Sequence, residues 1–287
     1  MKEVIDKARI LIEALPYIKE FRRRTVVVKI GGAAIDNLEL RQRFAEDVVL
    51  LTWVGINVVV VHGGGKQVSH MLTRLGLEPS FVGGVRVTDG PTLEVAEMVL
   101  GGSLNKELVR LIGSLGGRAA GLTGKDGGLV RAKRLENEPD LGLVGEIVSV
   151  DRSVIDRLHP EFIPIIAPLA PGEQGETLNV NADPFAAGLA AALSAEKLVL
   201  LTDVSGVADE RGELIPSLTR EMARDLIERG ALGGGMLPKV KHALRALEAG
   251  VRKVHIIDGR LEHALLLEIF TKAGVGTQVV GSDAEQE

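Results

Sequence analysis

TVVVKIGG at 25–32 and NVVVVHGGG at 57–65 decide the fold. Each is an unbroken run of mostly β-branched residues that ends in glycines, and Leu38–Val54 between them reads as a helix. Continuous apolar strands are buried on both faces, as in a parallel sheet covered by helices. Outward from this unit the alternation continues. A helix follows Gly65 to about Gly76, and Pro91–Gly116 holds one long helix or two. Residues 118–150 read as strands with glycine-rich turns, and Phe162–Ala167 as a short strand. Asp183–Ser194 is an alanine-rich helix, with Asp183 as its N-cap and Pro184 at its first position. Strands at Lys197–Leu201, Lys253–Ile257 and Thr277–Val280 alternate with helices at Thr219–Glu228, Leu237–Ala249 and His263–Thr271. This predicts an α/β protein, a three-layer αβα sandwich around a mainly parallel open sheet.

Ahead of it, Val4, Ala8, Leu11, Leu15 and Ile18 form one apolar stripe on an N-terminal helix, which Pro16 should kink. The stripe alone fits packing on its own domain as well as packing on another subunit. A Pro/Gly/Glu-containing stretch near Leu169–Glu176 suggests two lobes of one continuous sheet, 25–175 and 176–287, after an N-terminal helix over 1–24. The tail from Gly281 reads as frayed.

Composition narrows the chemistry. The 287 residues contain no Cys, which excludes disulfides, thiol nucleophiles and Cys-ligated metal, and fits a reducing cytoplasm. A net charge of −5 speaks against a nucleic-acid binder, and no apolar run approaches the ~20 residues of a membrane span. The six His show no metal-ligand spacing, so no protein metal site is expected. The 35 glycines stand well above the usual ~7%. They cluster, as tight turns and close backbone approach require.

In parallel sheets, ligands bind beyond the carboxyl ends of the strands. Four glycine-containing segments fall there: Gly31-Gly32, Gly63-Gly64-Gly65, Asp203-Val204-Ser205-Gly206 and Gly233-Gly234-Gly235. Such loops close backbone N–H groups on anions. Two lysines accompany them, Lys29 at the end of a buried strand and Lys239 at a helix start, where a cation opposes the helix dipole unless an anion is near. Arg86, after the Gly83-Gly84 turn, suits bidentate carboxylate recognition. Asn179 and Asn181, two of only six Asn, share one pentapeptide with Asp183. No P-loop, GxGxxG, HExxH or GxSxG motif occurs.

VVVKIGGAAI (26–35), VVVVHGGGKQV (58–68), GGVRVT (83–88), LNVNADPFAAGLAAAL (178–193), LVLLTDVSGV (198–207) and GGGMLPKV (233–240) stand in order along nearly the whole chain. Together they resemble the amino acid kinase family, and within it the branch that acts on N-acetyl-L-glutamate. The resemblance implies ATP with Mg²⁺ as cofactors and phosphorylation of the γ-carboxylate. It makes Lys29 and Lys239 transition-state stabilisers organised by Asp183. Gly64, Gly65, Arg86, Asn179 and Asn181 would hold the acylated amino acid. Gly31, Gly32, Asp203, Val204, Ser205, Gly206, Gly235 and Met236 would line the nucleotide site. The 25–175 lobe would take the amino acid and the 176–287 lobe the nucleotide.

HIIDGR (255–260), LLEIFT (266–271) and GVGT (274–277) resemble the arginine-sensitive members. There Glu268 would pair with the guanidinium of L-arginine, Lys197, His255 and Gly274 would line the site, and Tyr17 would close it. The N-terminal helix would join dimers into a hexamer, a trimer of dimers. An acceptor carboxylate is already ionised at neutral pH, so this chemistry requires charge neutralisation and no general base. A kinase of the one-carbon-longer N-acetyl-aminoadipate type fits the same motifs, since a methylene changes binding by only about 1–3 kcal/mol. A non-catalytic amino-acid sensor on this fold would have no need of Lys29, Asp183 and Lys239 together.

Overall fold

A computed structural model describes residues 2–233, 235–271 and 274–282, with the side chains of 2–8 and 10 left out. The side chains of Val4 and Ala8 of the apolar stripe, Gly234, and the tail from 283 therefore lie outside the described residues.

The first half contains α1 (Lys2–Phe21), β1 (Thr25–Ile30), α2 (Ala33–Asp36), α3 (Leu38–Trp53), β2 (Asn57–His62), α4 (Gly65–Arg74), the β3–β4 hairpin (Phe81–Val82, Val85–Arg86), α5 (Gly90–Ala96) and α6 (Asn105–Ser114). Next come β5 (Ala119–Thr123), β6 (Val130–Arg134), β7 (Val144–Val150), α7 (Ser153–Leu158), β8 (Ile163–Ala167), β9 (Leu169–Pro171) and β10 (Thr177–Val180). The rest is α8 (Ala182–Ala192), β11 (Lys197–Thr202), β12 (Ser217–Thr219), α9 (Arg220–Glu228), α10 (Met236–Glu248), β13 (Lys253–Asp258), α11 (Ala264–Phe270) and β14 (Gly276–Val280). No described helix is long and apolar enough to cross a membrane.

Eight strands form one sheet in the order β12-β14-β13-β11-β1-β2-β8-β5, parallel except for the β13–β14 pair. The all-apolar strand reading holds because both faces are covered. Val26, Val28 and Ile30 bury into a core with α3 and α6, while Val27, Val59 and Val61 bury into a second core with α8 and α10. β1 is the switch point, with β2 on one side and β11 on the other, so a crevice opens at its carboxyl end. There Ile30 pairs with His62 in register, and Gly63 N–H donates to Ile30 O at 2.8 Å. The two glycine turns of the opening motif are thereby joined.

Residues 118–150 divide: β5 closes the edge of the large sheet, while β6 and β7 join β10 and β9 in a second, four-stranded sheet. Pro91–Gly116 resolves into one continuous helical run, α5 to α6, widened to π-helix over Glu97–Leu104. Leu100 and Leu104 of that wider stretch lean on Gly64, where a Cβ would lie 2.6 and 2.7 Å from their Cδ2 atoms. Gly64 also has φ 158, so no side chain fits. α1 runs unbroken through Pro16, and Leu11, Ile12 and Leu15 stand exposed.

One assignment from sequence is corrected. The N-cap of α8 is Asn181, whose Oδ1 accepts from Asp183 N–H at 3.0 Å, and the helix begins at Ala182. Both residues are good caps. Placing the cap on Asn181 leaves the Asp183 carboxylate free to turn into the crevice.

Candidate active site

Lys29, Gly31, Gly32, Gly64, Gly65, Arg86, Asn179 and Asn181 line one cleft of about 240 Å³ at the carboxyl end of β1. Asp183 lies behind it, only 8% exposed, with Lys29 Nζ 2.7 Å from Oδ1 and Lys239 Nζ 2.8 Å from Oδ2. Burial alone would raise the Asp183 pKa, but the two ammonium groups outweigh it and hold the carboxyl well below the usual range. The triad thus carries two positive charges and one negative. The surplus of one positive charge sits where the glycine turns converge, an arrangement that favours an anion.

Arg86 enters from β4 and is buried against the ring of Phe81, 4.6 Å from its centroid. Nη2 donates to Gly65 O at 2.6 Å and to Ser69 Oγ at 2.8 Å, which locks the fork, while buried Nη1 has no partner among the described residues. An unpartnered buried guanidinium donor in a cleft calls for an acceptor from the ligand. Asn179 Nδ2 donates to Thr88 Oγ1 at 3.2 Å, which fixes its amide in the lining of the same cleft.

Val204, Ser205, Gly206 and Met236 line a separate cavity of about 380 Å³ with Gly233 and Leu232. Gly31 and Gly32 face the Arg86 cleft instead. Asp203 lines neither cavity: its Oδ1 accepts from Ala33 N–H at 2.7 Å, in space that only a glycine at 32 leaves open. Gly235 precedes α10, which carries Lys239 toward Asp183.

A third cavity, of about 320 Å³, is lined by Tyr17, Lys197, His255, Glu268 and Gly274. Glu268 is buried, not exposed as an ordinary helix residue would be: Oε1 meets His255 Nδ1 at 2.5 Å and Oε2 accepts from Val275 N–H at 3.0 Å. Sequence reading gave no role to His62, Ser69, Thr88 or Asn105. The available signals were the positions of His62 inside the VVVVHGGG motif and of Thr88 at the end of GGVRVT.

His62 is fully buried, and burial pushes its pKa down to about 4. An unfolded chain takes up that proton near pH 6.5. Between these values the unfolded state binds more protons, so stability is lost as pH falls from 6.5 to 4, by about 3 kcal/mol for this residue. Asp47, pushed up to about 6 by burial, opposes this from about pH 6 downward. The His62 contribution is isolated by comparison with His62→Asn: the gap between the two thermal midpoints should narrow from pH 6.5 to 4. A constant gap would show that the ring is not held neutral.

Residues 24–258 match the model of the amino acid kinase family. The chain belongs to the amino acid kinase family. Among its relatives is the acetylglutamate kinase of Aquifex aeolicus, 52% identical over 295 residues, covering 97% of this chain and 99% of that protein. The N-acetylglutamate synthase of Neisseria gonorrhoeae complexed with coenzyme A and N-acetyl-glutamate superposes with a TM-score of 0.86 at 28% identity, over 96% of this chain and 63% of that one. The same synthase complexed with coenzyme A and L-arginine gives 0.81 at 27% identity, over 96% and 65%.

Proposed function

We propose that the protein transfers the γ-phosphoryl group of ATP to the γ-carboxylate of N-acetyl-L-glutamate in arginine biosynthesis. The single observation that carries this reading is the Lys29–Asp183–Lys239 triad beside the Arg86 cleft. Arg86 Nη1 and the Asn179 amide receive the acylated amino acid, and Arg86 takes its α-carboxylate. The glycine turns and the two ammonium groups face the transferring phosphoryl group. They reduce the repulsion between two anions, the main obstacle to this reaction. The cavity at Val204–Met236 holds the nucleotide in the 176–287 lobe, and the amino acid binds chiefly on the 25–175 lobe, with Asn179 reaching it from beyond that boundary. Both oxygens of Asp183 are engaged by lysines, which fits Mg²⁺ arriving on the nucleotide, held by phosphates and water. When bound it supplies further charge neutralisation.

A hydroxylamine-trap assay with ATP and Mg²⁺ tests this on N-acetylglutamate, glutamate, aspartate and N-acetylaminoadipate. N-acetylglutamate should be preferred. Preference for free glutamate, or turnover of none, would sink the reading.

The enzyme is further proposed to be a cytoplasmic homohexamer, a trimer of dimers, inhibited by L-arginine at the Tyr17–Glu268 cavity. The exposed Leu11, Ile12 and Leu15 of α1 support helix exchange between dimers, since a free arm gains nothing from such a face. Deletion of residues 1–20 should leave an active dimer by light scattering, whereas an unchanged mass would show that the helix packs within its own subunit.

A further inference from the structure

His62 ends β2 immediately before the glycine turn and is completely buried. Its Nδ1 lies 2.9 Å from Gly63 O. A carbonyl only accepts, so Nδ1 carries the hydrogen. Nε2 lies 3.2 Å from Asn105 Nδ2, at the point where the π-helical stretch passes into α6. The Asn105 amide is itself oriented: Lys106 Nζ donates to its Oδ1 at 3.2 Å, and Nδ2 donates to Ile165 O of β8 at 2.9 Å. The other Nδ2 hydrogen lies between Nε2 and Leu122 O, which is 3.3 Å from Nδ2, and because Nε2 faces a group that only donates it is the bare nitrogen. Only one form of the ring, neutral with hydrogen on Nδ1, satisfies both neighbours. The space for Asn105 is built in, because a Cβ on Gly121 would lie 2.1 Å from its Oδ1.

The consequence lies one atom pair further on. Gly63 C=O and Gly64 N–H belong to one planar trans peptide unit and point in opposite directions. Holding the carbonyl against His62 therefore directs the Gly64 N–H away from the ring. That N–H has no acceptor among the described residues, and Gly64 lines the cleft. We propose that His62, kept as its neutral Nδ1–H tautomer by Asn105, is a positioning residue that aims the Gly64 N–H at the transferring phosphoryl group. This rests on the phosphoryl-transfer reading above.

Two variants separate positioning from bulk. His62→Asn retains a side-chain N–H close to Gly63 O, whereas His62→Leu does not, and both lose the ring. With whichever acceptor the intact enzyme uses, His62→Leu should lose about 10²-fold in kcat, the usual effect of one misdirected oxyanion donor. His62→Asn should stay within about tenfold of wild type. The KM for both substrates should change little in either. Equal kcat losses in two variants of matched thermal midpoint would overturn the proposal, as would a loss confined to KM. Should the variants not fold, ¹⁵N-imidazole NMR on the intact protein decides: His62 must show a protonated Nδ1 and a bare Nε2 from pH 5 to 8. An Nε2–H tautomer or an imidazolium in that range overturns it. If the wild type phosphorylates nothing, the functional reading falls, while the NMR result still tests the clamp independently.

Discussion

Alanine in place of Lys239 or Lys29 is expected to lower kcat by about 10²–10³ and to leave the chain folded. Each lysine bonds to one oxygen of the same buried carboxylate, so loss of either leaves Asp183 paired with the other. What disappears is the surplus positive charge facing the cleft. In the proposed reaction that charge would act chiefly on the transition state, where negative charge crowds onto the phosphoryl oxygens. The loss should therefore appear in kcat, with the KM for each substrate changed by far less. Arg86→Ala should behave in the opposite way. On the proposed reading its unpartnered Nη1 would receive the acceptor's α-carboxylate, so removal should raise the KM for N-acetylglutamate and spare that for ATP. Steady-state kinetics of the three variants, with circular dichroism as a check of folding, measure this. Near-full kcat in Lys29→Ala would show that the triad is structural.

Glu268→Ala should weaken inhibition by L-arginine by about 10²-fold or more, the usual range for truncating one partner of a buried charge pair. Wild-type enzyme should lose activity sigmoidally as arginine is titrated. Glu268 has a buried carboxylate held in place by His255 and the Val275 N–H, with further lone pairs able to receive a guanidinium fork. Gly274 leaves the approach open, since a Cβ there would lie 3.0 Å from Glu268 Oε2. α11, which carries Glu268, is set in place from a distance: His263 Nδ1, one residue before it, meets Asp47 of α3 at 2.5 Å. Tyr17 lines the same cavity from α1, so arginine would bear on the helix proposed to join dimers. Such coupling requires arginine to bind one arrangement of the ring better than another. Removal of residues 1–20 should accordingly blunt the response too. Full activity in millimolar arginine, or wild-type sensitivity in Glu268→Ala, would defeat the assignment.

Much of this molecule was legible in one dimension. The β-branched runs around Val26–Val28 and Val58–Val61 could only be strands covered on both faces, and the sheet places them there. The glycines that end these runs marked the rim of the crevice, because a strand followed by a turn with no Cβ brings backbone N–H groups to the surface of the sheet. Local chemistry is carried by neighbours in sequence, which is why strand ends, turns and most helices could be read. Asp183 shows where that stops. Its helix offers two good caps two residues apart, and sequence alone favoured the wrong one. The choice is made by Lys29 and Lys239, which lie 154 residues before and 56 residues after it and draw the carboxylate away from its own helix. The resemblance singled out Glu268, but its burial and its contact with His255 appear only once β13 and α11 are packed together. His62 had no assignable partner until the π-helical stretch delivered Asn105 across the sheet. The sequence by itself determined the layers, the sheet and the rim on which chemistry sits, because these follow from periodicity and backbone freedom. Which charges pair, which tautomer a buried ring keeps and which donor is left facing the cleft were decided only by tertiary structure, because each depends on groups from distant segments meeting where water cannot screen or replace them.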